Sequence, residues 1–343
     1  MKRPLIVFAL ISTSILVFFI LNLVLGTISI PVGSVWNILF GIKEESIIWE
    51  NIIWKSRFPQ TITALVAGAG LSISGLQMQT LFRNPLAGPS ELGISSGASL
   101  GVAFIILLSG SVGGTALIKM GLFGEIAISI AAVVGALTIM IIIITISRFV
   151  RGNVILLIIG VMIGYISTAI IGVLKFFSND EDVRAYVIWG LGSFSKVSGN
   201  QVYTFVGIMI VLIPLSFLLI KTLNLMLLGE GYARNLGLNV KQARLYVIVC
   251  SCIITAIVTA YCGPIVFLGL AVPHLCRTIF VSSDHRILMP AVTLTGASLA
   301  LFCNLVARMP GFEGALPINS VTALIGAPIV ISVLFGKRKN EVG

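Results

Sequence analysis

The groups from which this chain could build a reactive centre are few: two histidines, five cysteines and twelve acidic residues in 343. His274 and His285 stand eleven residues apart, and neither belongs to a His-Glu-x-x-His pattern. No pair of carboxylates falls within one apolar run, and no nucleophile has a base in reach. Cys250, Cys252, Cys262, Cys276 and Cys303 lie within or at the ends of apolar runs, with no histidine near Cys250 and Cys252 to complete a metal site. They read as small buried hydrophobes. Gly336-Lys337-Arg338 lacks the upstream glycine and the hydroxyl residue of a phosphate-binding loop, so ATP cannot be held by a P-loop here. The expectation is a chain with no catalytic residues, no metal ligands and no cofactor of its own.

Three polar interruptions carry what chemistry there is. The first is Leu228-Gly229-Glu230-Gly231-Tyr232-Ala233-Arg234-Asn235-Leu236-Gly237, between two long apolar runs. Leu228 to Asn235 reads as a short helix with Gly237 as its C′ residue. Asn239 can cap a second helix, with Gln242 in the capping-box position. Glu230 and Arg234 are four apart and can pair on the first helix. Two short helices at an angle make a rigid knob, of the kind a second protein can grip. The second interruption is Arg83-Asn84-Pro85-Leu86-Ala87-Gly88-Pro89, where two prolines four apart force a tight turn. The third runs from Gly263-Pro264 through Pro273, His274 and Arg277. The Gly-Pro pair breaks the chain, Pro273 is expected to kink the following helix, and His274 shares a helical face with Arg277. Alone, His274 reads as a structural histidine.

The elements that must position these segments are membrane spans. Hydrophobic residues make up 57% of the chain, charged residues 10%, and the mean hydropathy is +1.11. No soluble core could bury that much apolar surface, so the bilayer must be the solvent. Ten spans are expected, at about 5–25, 60–81, 92–109, 126–147, 154–174, 202–220, 245–262, 265–281, 288–307 and 316–335. The first is too long for a signal peptide's apolar core and lacks a cleavage site after it. With the N terminus inside, fourteen of the 22 Lys and Arg fall on the inner side and eight on the outer. Both termini and the knob are therefore expected in the cytoplasm. The net charge of +10 reports this orientation rather than a nucleic-acid partner. Pro31 to Phe40 should form a loop helix packed on the bundle. Gly68-Ala69-Gly70, Gly97-x3-Gly101 and Gly160-x3-Gly164 should let helices approach closely.

The ordered motifs resemble the FecCD family of bacterial ABC-transporter permeases, which import iron-siderophores and vitamin B12. Arg57-Phe58-Pro59-Gln60 is similar to that family's Arg-Leu-Pro-Arg motif before the second helix. Gly75-x3-Gln79 with Arg83-Asn84-Pro85-Leu86-Ala87 matches its Q-x3-L-F-x-N-P-L-A motif. Leu228-Gly229-Glu230 with Ala233-x2-Leu236-Gly237 matches its coupling segment, here about 228–243. Gly263 through Gly269-Leu270, Pro273-His274 and Arg277, with Asp284-His285-Arg286, match the next motif, and Leu316-Pro317-Ile318 through Gly326-Ala327-Pro328 the last.

The resemblance covers about residues 5 to 335. It implies an all-α fold of ten transmembrane helices with inverted repeats, the type II importer permease, in one domain over residues 1–343. It also implies a multi-pass protein of the bacterial inner membrane that is itself no enzyme. Its partners would be a second permease copy or a related chain, two cytoplasmic ATPase subunits and an extracytoplasmic binding protein. Leu228, Gly229, Glu230, Ala233, Arg234, Leu236 and Gly237 would couple to the ATPase, with Ala233 and Leu236 against its groove. Lys55, Arg57 and Arg308 would dock the binding protein. Arg83, Asn84, Pro85, Pro273, His274 and Arg277 would form the inner-face gating motif. The cargo implied is a bulky iron chelate, a ferric siderophore first, with cobalamin or haem as alternatives. An ion-coupled secondary transporter is the alternative of a different class, and the spans' lack of ionisable residues argues against it. Four positions depart from the family: Gln60 where it has a second Arg, Asn304 where it has Asp, Ala315 where it has Glu, and Asn319 where it has Gly.

Overall fold

The structure, a computed structural model, describes residues 2–42, 46–107, 122–150, 153–309 and 315–341. Lys43, Lys119 and Arg151, counted above in the charge asymmetry, lie outside the described residues. Among the described residues the regular structure is entirely helical. In a bilayer this is expected, because a spanning helix satisfies its own backbone hydrogen bonds.

Helix α1 (Lys2–Val24) is followed by α2 (Val32–Phe40) and α3 (Ile47–Ile52). A single π-turn, Ile53–Arg57, joins α3 to α4 (Phe58–Phe82). Then come α5 (Ile94–Ile106), α6 (Leu122–Phe149), α7 (Asn153–Phe176) and the short α8 (Asp180–Gly190). Helices α9 (Asn200–Phe217), α10 (Ile220–Leu227) and α11 (Glu230–Asn235) lead to α12 (Val240–Cys262). The chain ends with α13 (Leu268–Phe280), α14 (His285–Ala307) and α15 (Ile318–Glu341). Each expected span overlaps one of these helices, with residues 108 and 109 of the span 92–109 outside the described residues. Seven are long and apolar enough to cross a bilayer: α1, α3–α4, α6, α7, α9, α12 and α14. Helices α5, α13 and the apolar stretch Ile318–Ser332 of α15 are shorter than the roughly 20 residues of a straight crossing.

Helix α4 is the axis of the bundle, buried over nearly its whole length from Pro59 to Phe82. It packs against α12, α13 and α14. Small residues permit this. A Cβ on Gly75 would lie 1.8 Å from the Gly269 carbonyl oxygen, so only glycine lets α4 and α13 meet there. Gly97 and Gly101 of α5 face Gly135 and Ala131 of α6 in the same way. Loop helix α2 does pack on the bundle through Val35 and Ile38, but Val32, Trp36 and Phe40 point outward. Those three are four apart and form the apolar face expected of an interfacial helix.

Two like sets of four helices are visible in element lengths. Helices α4 to α7 run 25, 13, 28 and 24 residues, and α12 to α15 run 23, 13, 23 and 24. In each set a break follows the first helix, and the 13-residue helix starts after a residue with positive φ. That residue is Gly93 (φ 79°) before α5 and Phe267 (φ 71°) before α13. Gly93 abuts Gly160 and Gly164 of α7, while Phe267 abuts Gly326 of α15. The same contact is thus made twice, once with a glycine and once with a phenylalanine held in a conformation that costs of order 1–3 kcal/mol.

Candidate functional site

The knob forms as the residue types dictate. The Asn239 side chain accepts from the Gln242 N–H at 3.2 Å and caps α12. Gly237 takes φ 84° after α11, and the Leu238 N–H closes back on the Ala233 carbonyl at 2.9 Å. Gly229, at φ 108°, makes the turn from α10 into α11. Two details differ from expectation. Glu230 bonds chiefly to Arg244 on α12, at 2.7 Å, and only loosely to Arg234, at 3.9 Å. The carboxylate therefore ties the knob to a span rather than stiffening α11 alone. Ala233 is fully buried, so it faces the chain's own interior and offers no contact to a partner. The exposed face carries Leu228, Tyr232 and Leu236, each more than half exposed. Tyr232 was missed, although the four-residue spacing of that stripe is legible in the sequence.

The other motif residues converge on this end of the bundle. Arg83, in the left-handed conformation at the end of α4, donates to the Met226 and Leu227 carbonyls at 3.0 and 2.9 Å. Its guanidinium thereby caps α10 where unpaired carbonyls gather. Asn84 accepts from the Leu86 N–H at 2.9 Å and shapes the Pro85 turn. On α10, Asn224 donates to Asp284 at 2.7 Å and accepts from the His285 N–H at 2.9 Å. The His285 ring lies between Asn224, 2.8 Å from its Nδ1, and Thr80 of α4, 2.8 Å from its Nε2. The Arg286 N–H and the Asn224 amide hold the Asp284 carboxyl below the usual carboxylate range. One polar chain thus links α4, α10 and α14 beneath the knob.

The third interruption joins the same group. Helix α12 stops at Cys262, and α13 begins at Leu268 and continues through Pro273 to Phe280. Arg277 donates to the Gln79 side-chain oxygen, and the Gln79 amide donates to the Leu270 carbonyl at 3.1 Å. Gly75 and Gln79 of one motif therefore seat Gly269, Leu270 and Arg277 of another. His274 is buried within α13.

The docking candidates sit at the opposite end, and one of them is corrected. Lys55 is exposed, but Arg57 is only 1% exposed. Its guanidinium donates to the carbonyls of Leu23 and Val24, each at 2.7 Å, and to that of Ile28. It caps the end of α1 instead of presenting a charge outside. Arg308 is half-buried beside it, and both guanidinium groups crowd Gly26. Burial, and then the neighbouring Arg57 charge, lower the Arg308 pKa to about 10.

Two of the family departures prove to be one. Gln60 donates to Asn304 at 2.9 Å, and Asn304 donates to Asn22 at 2.8 Å. Two of the positions that depart from the family motifs are thus hydrogen-bonded to each other in this chain, as a neutral amide pair. Asn319 accepts from the Val266 N–H at 3.1 Å and so ties the α12–α13 break to the start of α15. Nothing in the structure explains Ala315.

A bundle of apolar helices in two like sets, with a polar knob braced at one end, defines a polytopic membrane transport subunit. The model of the FecCD transport family matches residues 14–336, and the chain belongs to that family. It is 34% identical over 321 residues to the hemin transport system permease protein HmuU of Yersinia pestis, covering 93% of this chain and 92% of that one. It is 37% identical over 289 residues to the vitamin B12 import system permease protein BtuC of Klebsiella pneumoniae, covering 83% of each. Among solved structures it is similar to a metal-chelate type ABC transporter in an inward-facing conformation. That match has a TM-score of 0.83 at 26% identity and covers 97% of this chain and 99% of the other. The chain is accordingly a multi-pass permease and a transport component.

Proposed function

We propose that this permease, a single domain over its whole length, imports a bulky iron chelate, a ferric siderophore first, by alternating access in the bacterial inner membrane. It would work with a second permease copy, two ATPase subunits at the knob end and a binding protein at the opposite end. The observation that carries the reading is the knob itself. An apolar stripe of Leu228, Tyr232 and Leu236 stands exposed on a base tied to α4, α12 and α14. Such a stripe can take a push from a partner and pass it into the spans. Haem and cobalamin, the cargoes named for HmuU and BtuC, are the competing substrates.

Reconstitution with the ATPase partner in proteoliposomes tests this, with ferric siderophore, haem and cobalamin offered in turn. Accumulation should require ATP and should favour the ferric siderophore. Accumulation driven by a pH gradient without ATPase subunits would overturn the reading in favour of an ion-coupled carrier.

The knob end is proposed to be cytoplasmic, following the basic residues there. Arg234→Cys and Asp180→Cys, both at exposed positions, test it in a cysteine-free background. An impermeant reagent on intact cells should label position 180 and leave 234 unlabelled; the reverse pattern would invert the topology.

Docking is proposed to rest on Lys55 and Arg308, with Arg57 as their support. Each exposed pair contributes only about 0–1 kcal/mol. Lys55→Glu with Arg308→Glu should therefore weaken binding-protein capture several-fold, and more at low salt than at high. Capture that is unchanged at low salt would remove both residues from docking.

A further inference from the structure

Between the knob and the end of α6 lies an open groove of about 1010 Å³. Its two walls differ in chemistry. Ile144 and Phe149 of α6 and Leu245 of α12 make one wall apolar, and Phe149 is 82% exposed. Arg234, Lys241 and Arg244 make the other basic. Glu230 is the single carboxylate in the lining among the described residues, so three described cations face one anion there. Arg244 uses one terminal nitrogen on Glu230 and leaves its Nε buried without a partner. Lys241 makes no ion pair among the described residues. Ile144 lies five residues before Phe149, about 7.5 Å along the helix axis. Ile144 lies within the apolar span that ends at Ser147 and Phe149 lies beyond it, so the groove straddles the end of that span.

An occupant must carry negative charge at one end and hydrocarbon at the other. We propose that the groove binds an anionic phospholipid, its phosphate against Lys241 and Arg244 and its acyl chain against Ile144 and Leu245. A free phosphate would satisfy the basic wall and leave the apolar wall wet. The lipid would also hold Arg244 in place, and with it the Glu230 tether of the knob. The proposal rests on the chain being a membrane permease, and on neither its cargo nor its mode of energy coupling.

The test uses the permease with its ATPase subunits in nanodiscs of equal phosphatidylcholine and phosphatidylglycerol, read by native mass spectrometry for retained lipid. The wild type should retain phosphatidylglycerol in clear preference. Lys241→Gln should reduce that preference roughly fivefold, the weight of one basic residue near a membrane surface, and Lys241→Glu should abolish it. Phe149→Ser, which keeps every charge, should also reduce retention. Equal retention of the two lipids by the wild type would overturn the proposal. So would displacement of the lipid by millimolar inorganic phosphate, which would mark a site for free anions. Retention by the permease alone but not by the permease with its ATPase subunits would overturn the proposal and assign the groove to that interface. Lipid retention is read without transport, so this experiment can fail while the import reading stands.

Discussion

Ala233→Asp should uncouple ATP hydrolysis from transport while the protein still inserts into the membrane. Ala233 is fully buried in the turn where the Leu238 N–H returns to its carbonyl. A carboxylate there would replace a fully buried methyl group, and an unpaired buried charge costs several kcal/mol. The short helix α11, six residues long, cannot bear that cost and would leave its seat. The spans bury their surface elsewhere and would persist. Tyr232→Ala with Leu236→Ala probes the other half of the idea, because both side chains are exposed and their loss leaves the knob folded. Both variants should lose most substrate-stimulated ATPase activity, but only Ala233→Asp should make the Gly229–Gly237 segment sensitive to protease. Full stimulated activity in both would show that the knob is not the coupling element.

Gln60→Arg and Asn304→Asp should each destabilise the protein strongly, and together they should cost markedly less than the sum of the two. The wild-type amide chain has one polarity. Asn22 donates to the carbonyls of Phe18 and Leu301, at 2.8 and 3.0 Å, which turns its oxygen toward Asn304. Asn304 must then donate to Asn22, leaving its own oxygen for Gln60. Gln60 is 5% exposed and Asn304 1%. Either single change puts one charge into that site, at a cost of about 3–5 kcal/mol. The double change places an Arg and an Asp side by side there, with a coupling of up to about 3 kcal/mol. Thermal unfolding midpoints of the four purified proteins complete the cycle. Additive losses would mean that the two side chains do not act as a pair, and that the family's Arg and Asp serve separate purposes.

Much of the molecule is legible in the sequence because its causes are local. Gly263-Pro264 ends α12 because a few residues decide a break. Asn239 caps α12 and Gly237 closes α11 for the same reason. The long apolar runs become helices because the bilayer leaves a backbone no other partner. Legibility fails where the partner is distant. Arg57 and Ala233 both looked like contact residues for other proteins. One is buried against the carbonyls of Leu23, Val24 and Ile28, the other inside its own turn. Arg244 as the partner of Glu230, fourteen residues on, was equally hidden.

Hydropathy and turn chemistry act over a few residues, so a helical membrane protein with a knob between two runs can be read from the residues alone, and the ordered motifs add the resemblance to a permease family. Which motifs meet emerges only in the folded bundle. It brought Arg83 to the end of α10, Gln79 to Arg277 and Gln60 to Asn304, the last pair 244 residues apart. Such pairings depend on which helices lie side by side. That choice is set by small residues such as Gly75 and Gly269, whose complementarity exists only once two distant surfaces are in contact.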